Sequence, residues 1–140
     1  MKIDHTYLRA PKGSLVFVRR KQGEHINLYD YELRYEQGDE RIQKKRIISA
    51  AEYQEMLALQ QDYFTNILKI YRTSFMYEKH YFQLETFTNI IGSPSFLLVE
   101  TEEFDDQSPF GVKVPPYLKI RKDVTSDKFY SSNNMAKKNF

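Results

Sequence analysis

The side chains with the clearest chemical potential in this sequence are charged residues that alternate along predicted β-strands. The earlier strands carry cations and the later strands carry carboxylates: Arg19, Arg34, Lys45 and Arg72 in the first group, Glu85, Glu100 and Glu102 in the second. If the sheet curls, the two groups face each other across a cavity. Lysine and arginine bind phosphate oxygens, and carboxylates hold Mg²⁺ or Mn²⁺, which bridges to the phosphates and polarises them. The pattern is typical of a site for a polyphosphate with a divalent metal.

Two other interpretations of these charges stay open. Alternating charge is more often the solvent-facing side of a strand than a binding site. The basic runs Arg19-Arg20-Lys21 and Lys44-Lys45-Arg46, with tyrosines nearby, could instead contact nucleic acid. Only half of such alternating residues can face one ligand, and the net charge of +2 is low, so nucleic acid is disfavoured as a partner.

Familiar catalytic and metal-binding motifs are missing from the sequence. There is no GxxxxGK[ST] loop for nucleotide phosphates, no GxSxG nucleophile turn and no pair of histidines at metal-binding spacing. His5, His25 and His80 stand apart and fall in predicted loops or at strand ends, where we expect exposed turn residues. The acidic run Glu100–Asp106 lacks the glycine and the spacing of an EF-hand.

The composition indicates one domain with a sizeable core. Of 140 residues, 41% are apolar and 29% are charged, as in soluble globular proteins. Aromatic residues make up 15%, with eleven Tyr and ten Phe, which favours strands. There is no Cys, so disulfides and thiolate metal sites are excluded. No apolar run approaches the roughly 20 residues of a membrane span, and the start of the chain has no signal core. We therefore expect an intracellular, cytoplasmic protein without a membrane span.

The elements that carry the charged residues are mostly strands. We predict a short strand within Lys2–Arg9 and longer strands at Ser14–Lys21, Ile26–Tyr35 and Glu40–Ile48, the last two joined by a turn at Gln37-Gly38-Asp39. Alternation within the third of these runs places Asp30, Glu32 and Arg34 on one face and the tyrosines on the other.

A helix separates these strands from a second group. Ser49 and Glu52 form a capping box, which predicts a helix that ends near Asp62. Beyond it we predict strands at Ile67–Tyr77, Tyr81–Phe87 and Phe96–Glu102, a turn at Glu78-Lys79-His80, and a final helix near Lys128–Lys138 with Phe129, Tyr130 and Met135 facing inward. Six or seven mostly antiparallel strands with two helices predict an α+β domain, or a closed or partly closed barrel with helices outside.

Several stretches follow one another in a familiar order: Tyr7-Leu8 with Val16–Arg20, Tyr31–Arg34, Gln43–Lys45 with Glu52-Tyr53, Ile70–Arg72, Tyr81–Phe87, Leu97–Glu102, and Pro116–Leu118 with Asp123–Ser131. This order resembles the CYTH domain, the family of triphosphate tunnel metalloenzymes. The stretches are similar to its Arg-x-Arg strand, its basic third strand, and its Glu-x-Lys or Glu-x-Glu strand. They are also similar to its Lys-x-Arg, Tyr-x-Leu-Asp-x-Phe and Leu-Leu-Glu-x-Glu strands and to its closing Pro-x-x-Leu and Glu-Val-Thr-x-Asp-x-x-Tyr-Ser segment. The closing segment is the most specific match.

The resemblance implies a single CYTH-like domain over residues 1–140, folded as an eight-stranded antiparallel tunnel that binds triphosphates with Mg²⁺ or Mn²⁺. The closest likeness is to a divergent branch fused to a P-loop kinase-like domain, which implies that these residues are the C-terminal part of a longer protein. Family members act as triphosphatases, nucleotide cyclases or thiamine-triphosphate hydrolases. The matched positions assign phosphate binding and metal binding to the seven charged residues named at the outset.

Departures from the family pattern bear on catalysis. The family's opening Glu-x-Glu-x-Lys strand has no match in Met1–Arg9. We therefore expect a tunnel that is either complete or lacks its first strand. Phe17, Gln43 and Ile70 stand where the family has Arg, an acid and Lys. Three hypotheses follow: a module that binds a nucleoside triphosphate or polyphosphate without turnover, an active metal-dependent triphosphatase, and a structural or interaction domain with a vestigial tunnel. The third is favoured if Phe17 and tyrosine side chains fill the barrel.

Overall fold

The computed structural model describes residues 1–100, 113–125 and 127–137, except for the side chain of Glu100. Within these ranges it contains β1 Lys2–Leu8, β2 Ser14–Gln22, β3 Asn27–Gln37, β4 Glu40–Ile48, α1 Ala50–Gln60, β5 Leu68–Tyr77, β6 His80–Phe87, β7 Phe96–Glu100 and α2 Ser132–Ala136. The seven strands form one antiparallel sheet in the order β4-β3-β2-β1-β5-β6-β7, which curls into a half-barrel. The predicted barrel-like α+β architecture is confirmed at this level.

Two-residue turns join the strands at the predicted hairpins. Glu78 and Lys79 both adopt positive φ, 48° and 68°, as in a type I′ turn, whose twist matches that of the flanking strands. His80, which we predicted in the turn, already belongs to β6 and pairs with Tyr77. Gly38, with φ of 62°, occupies the corresponding turn between β3 and β4.

Strand β1 lies in the middle of the sheet, between β2 and β5. The predicted short strand within Lys2–Arg9 is confirmed, but its polar sequence did not indicate a central position. Pairing with both neighbours leaves five of its seven residues buried. Because β1 joins β2–β4 to β5–β7, its side chains lie between the two groups of charged residues.

One face of the sheet is covered by α1. The hydroxyl of Ser49 accepts a hydrogen bond from the backbone N–H of Glu52 at 3.0 Å, and the Glu52 carboxylate accepts one from the backbone N–H of Ser49 at 3.4 Å, which confirms the capping box. Tyr53 of α1 is buried in an apolar cluster that also contains Leu8, Val16, Val18 and Ile48. This packing defines which side of each strand faces away from α1.

The opposite side, called the charged face, carries Arg19, Arg34, Lys45, Arg72 and Glu85, the predicted site residues whose side chains are described. At its centre, apolar side chains of β1 and β2 pack against Met135 and Ala136 of α2. Helix α2 therefore lies on the charged face, whereas α1 lies on the other side of the sheet.

The final helix is shorter than predicted. A 3₁₀ turn, Lys128–Tyr130, precedes α2, and the Ser131 hydroxyl caps α2 by accepting a hydrogen bond from the backbone N–H of Asn134 at 3.3 Å. Met135 is buried as predicted, but Phe129 is 58% exposed, so its predicted inward position was wrong. A 3₁₀ turn has three residues per turn rather than 3.6, so Phe129 does not share a helical stripe with Met135.

Candidate anion-binding site

Six charged side chains from β2, β3 and β4 meet on the charged face and are called the charged cluster: Arg19, Lys21, Asp30, Glu32, Arg34 and Lys45. The antiparallel register explains this meeting, since Arg19 is paired with Asp30 and Glu32 with Lys45 on neighbouring strands. Alternate residues of a strand share a face, so the patterning of three strands puts all six on one side. The cluster holds four cations but only two carboxylates.

Asp30 lies at the centre of the charged cluster and is 1% exposed. Its Oδ1 accepts a hydrogen bond from Arg19 Nε at 2.9 Å, and its Oδ2 lies 3.1 Å from Lys21 Nζ and 4.0 Å from Lys45 Nζ. Burial raises the pKa of this carboxyl, but the bonds and charges of Arg19 and Lys21 outweigh burial and hold the pKa below its usual value. Asp30 therefore stays ionised and holds the two inner cations in place.

Glu32 is the second carboxylate of the charged cluster and is also buried. Its Oε2 accepts hydrogen bonds from Arg34 Nε and from Gln43 Nε2, the latter at 2.9 Å, and Arg19 Nη2 lies 3.9 Å from Oε1. Burial raises the pKa of Glu32, but the bonds from Gln43 and Arg34 bring it below the usual value. Gln43 thus acts as a neutral donor within the site.

The ring of Phe17 is buried beside the charged cluster. The guanidinium carbons of Arg19 and Arg34 lie 5.3 and 5.1 Å from its centroid, within the range of cation–π contacts. The His5 ring stacks on the same ring, with centroids 4.2 Å apart and planes inclined by 28°. One buried aromatic ring therefore orients three nitrogen-rich side chains from β1, β2 and β3.

His5 is 6% exposed, so the expectation of an exposed turn residue was wrong. The error follows from the position of β1, which is central in the sheet rather than at its margin. Burial, together with the charges of Arg19 and Arg34, lowers the pKa of His5 from 6.5 to about 3, so the imidazole is neutral near pH 7. Its Nε2 is buried, and no group in the described part of the chain forms a hydrogen bond with it.

Arg72 and Glu85 form a separate ion pair on the other side of the charged face. They sit opposite each other on β5 and β6, and Arg72 donates from Nε at 2.9 Å and from Nη2 at 2.6 Å, both to Oε1 of Glu85. The side chains are 17% and 12% exposed. The predicted phosphate contact and the predicted metal ligand are therefore bonded to each other.

The predicted metal site falls largely outside the described residues. Glu102 and the side chain of Glu100 are not described, and the remaining ligand, Glu85, accepts both hydrogen bonds from Arg72. Within residues 1–100, 113–125 and 127–137, no group of three or more His, Asp or Glu side chains is arranged to hold a metal ion. The described side chains do not form a metal site by themselves, so no chemical step is assigned to Mg²⁺ or Mn²⁺.

The site contains residues that the sequence-based selection missed: His5, Lys21, Asp30, Glu32 and Gln43. Alternation puts Asp30 and Glu32 on the face of Arg34, but alternation alone does not show which charges of β2 and β4 lie opposite them. Opposite charges placed directly across two strands stabilise a sheet, so aligning Arg19 with Asp30 would have found the cluster. His5 gave no comparable signal, because only the central position of β1 buries it.

Comparison of the chain with protein-family models, curated proteins and solved structures found no match. No helix in the described ranges is long and apolar enough to cross a membrane. The function is therefore inferred from the charged face and its chemistry.

Proposed function

We propose that this chain binds the triphosphate of a nucleotide, or a similar polyphosphate, on the charged face and does not turn it over. The observation that carries the proposal is the surplus of cations, since four cations surround two carboxylates in the charged cluster. Two positive charges are thus left for an anion. The resemblance of the sequence to CYTH domains supports the same class of ligand.

The two outer cations are within reach of a ligand. The side chains of Arg34 and Lys45 are 44% and 50% exposed, whereas those of Arg19 and Lys21 are 12% and 13% exposed. The outer pair can turn toward an anion while the inner pair stays bound to Asp30. The planar guanidinium of Arg34 suits two phosphate oxygens, and Lys45 adds a compact charge on a flexible stem.

An anion must compete for Arg34 with Glu32, which already accepts a hydrogen bond from it. If Arg34 turns to a phosphate, Glu32 keeps its hydrogen bond from Gln43 and its ion pair with Arg19. Leaving a buried carboxylate with two partners costs less than leaving it with none. The exchange is therefore feasible without unfolding the cluster.

Binding is proposed rather than hydrolysis because the described side chains offer cations on this face but no group of carboxylates suited to a metal ion. Hydrolysis by a metal-dependent mechanism would need Glu100 and Glu102, which lie outside the described side chains. Release of phosphate from triphosphate, measured with and without Mg²⁺ or Mn²⁺ and abolished by Glu100→Gln, would favour the hydrolase instead.

Calorimetric titration with inorganic triphosphate, ATP and GTP, with and without Mg²⁺, tests the proposal. We expect saturable binding that weakens with added salt. The double variant Arg34→Ala/Lys45→Ala should bind at least about tenfold more weakly, because it loses both accessible phosphate contacts.

The matched control is Lys44→Ala/Arg46→Ala, which removes the same charge from the opposite face of the sheet. Its affinity should stay within about twofold of wild type, since long-range effects of exposed charges are screened. Equal losses of affinity in the two double variants would show that binding depends only on the net charge of the chain. The absence of binding in the unsubstituted chain would refute the proposal.

A second function, as an interaction domain without a ligand in the sheet, is favoured by a different observation. Phe17 and Tyr7, 1% and 5% exposed, fill the centre of the charged face together with Met135 of α2. In such a domain the cations serve only to neutralise the buried carboxylates. The same titrations separate the two functions, because an interaction domain of this kind would be stably folded and would bind none of the three triphosphates.

A further inference from the structure

We propose that His5 is a further anion-binding residue of the charged face, which contacts a phosphate oxygen through Nε2 beside Arg19 and Arg34 and takes up a proton as the anion binds. The inference rests on the proposed function, because it adds a residue to the same site. It begins from a buried histidine whose Nε2 has no hydrogen-bond partner in the described part of the chain.

The geometry brings His5 together with two of the cations. Its imidazole stacks on the ring of Phe17 at 4.2 Å between centroids, and the guanidinium carbons of Arg19 and Arg34 lie 5.3 and 5.1 Å from that same centroid. Buried polar nitrogens in folded proteins are nearly always hydrogen-bonded, so the unpaired Nε2 of His5 requires an explanation such as a bound ion. A phosphate oxygen held by the guanidinium groups can supply the acceptor that Nε2 lacks.

Arg34 connects the accessible part of the site to His5. The Arg34 side chain is 44% exposed and its guanidinium lies 5.1 Å from the centroid of the Phe17 ring, on which His5 stacks. An anion that binds Arg34 is therefore held near the ring that contacts His5.

The charges around His5 explain why a proton should accompany the anion. The groups that act on it are Tyr7 of β1, Arg19 of β2, Asp30 and Arg34 of β3, and Arg72 of β5, while α2 contributes the apolar Met135 and Ala136. Burial and then the arginines lower the pKa of His5, and Asp30 opposes them.

A bound polyphosphate offsets the arginine charges and accepts a hydrogen bond from the imidazolium, and both effects raise the pKa of His5. The complex then holds more protons than the free protein. By linkage, affinity must rise as the pH falls.

Calorimetric titration with inorganic triphosphate at pH 7.5 and pH 5.5 tests this inference by comparing wild type with His5→Gln. Glutamine keeps a neutral donor but cannot take up a proton. We expect a loss of about threefold at pH 7.5 that widens to at least about tenfold at pH 5.5. Triphosphate itself titrates in this range, so the difference between the two proteins isolates His5.

His25→Gln is the matched control, because the His25 side chain is 88% exposed. It should match wild type at both pH values. If wild type binds but His5→Gln shows the same loss at both pH values, or no loss, the inference is overturned while the proposed function stands. If wild type does not bind triphosphate, the proposed function itself fails.

Ring NMR signals of the histidines in wild type keep the inference testable even if His5→Gln does not fold. The titration midpoint of His5 should rise from about 3 to about 6 at saturating inorganic triphosphate, because a smaller rise would leave the imidazole unprotonated at pH 5.5. His25 and His80 serve as internal references. A midpoint that stays fixed while other residues of the charged face respond to the anion would overturn the inference.

Discussion

The two sides of the charged face hold arginine–carboxylate pairs in different surroundings. On β5 and β6, Arg72 and Glu85 bond one to one. On β2, β3 and β4, two buried carboxylates are shared among four cations. The balanced, mostly buried pair is not expected to bind an anion, because a phosphate that took Arg72 would leave Glu85 without its partner. The unbalanced cluster can accept an anion and keep its own carboxylates bonded.

The largest loss of stability is expected from removing the central carboxylate of the charged cluster. Asp30→Asn leaves Arg19 and Lys21 without their counter-charge, and breaking a buried ion pair costs about 3–5 kcal/mol. We expect urea denaturation to show a loss of about 3 kcal/mol in the free energy of unfolding. Glu36→Gln, exposed on the same strand, is the control and should stay within about 0.5 kcal/mol of wild type. A loss below about 1 kcal/mol would show that Asp30 does not organise the cluster.

The next largest effect is a loss of folding stability at low pH, which is caused by His5. Its pKa is about 3 in the folded chain against 6.5 for the ordinary group, so the unfolded chain binds the proton first as the pH falls. The resulting loss of stability begins near pH 6.5, ends near pH 3 and amounts to about 2 kcal/mol between pH 7 and pH 5. Urea unfolding at both pH values should therefore show wild type losing about 2 kcal/mol more than His5→Gln. His25→Gln should behave as wild type, and parallel curves for wild type and His5→Gln would contradict the assignment.

Local patterns in the sequence predict most of the strands and the helix that position these charged residues. Period-two alternation placed Asp30, Glu32 and Arg34 on one face of their strand, and the capping box at Ser49 located the start of α1. Local patterns do not predict how the strands pair in the sheet. A polar run such as Lys2–Leu8 carries no sign that it will pair on both sides, so the burial of His5 was not foreseen. Charge alternation also cannot tell a binding cation from one that is bonded to a neighbour, as Arg72 is to Glu85.

A loss of stability of similar size is expected from breaking the pair of Arg72 and Glu85. Arg72→Met leaves Glu85, which is 12% exposed, without its donor and should cost about 2 kcal/mol in the free energy of unfolding. Arg72→Met/Glu85→Leu removes both charges and should recover at least about half of that loss. Triphosphate affinity should stay within about twofold of wild type in both variants. A loss of affinity as large as that of Arg34→Ala/Lys45→Ala would make Arg72 a phosphate ligand and extend the anion site across the sheet.

The smallest effect should appear in the dependence of binding on Mg²⁺. Oε1 of Glu85 already accepts two hydrogen bonds from Arg72, so this carboxylate is committed to a cation within the chain. Glu85→Gln should therefore leave the change in triphosphate affinity caused by Mg²⁺ within about twofold of wild type, measured by calorimetry at fixed free Mg²⁺. Glu100→Gln/Glu102→Gln is the informative comparison, because it removes the other two carboxylates of the predicted metal site.

A Mg²⁺-dependent loss in Glu100→Gln/Glu102→Gln alone would mean that the metal binds without Glu85 and that the pair with Arg72 is structural. A Mg²⁺-dependent loss in Glu85→Gln would mean that Glu85 exchanges Arg72 for the metal when triphosphate binds. Arg72 would then be released toward the anion, and the balanced side of the face would join the charged cluster in binding. The contrast between the two sides would in that case describe only the ligand-free protein.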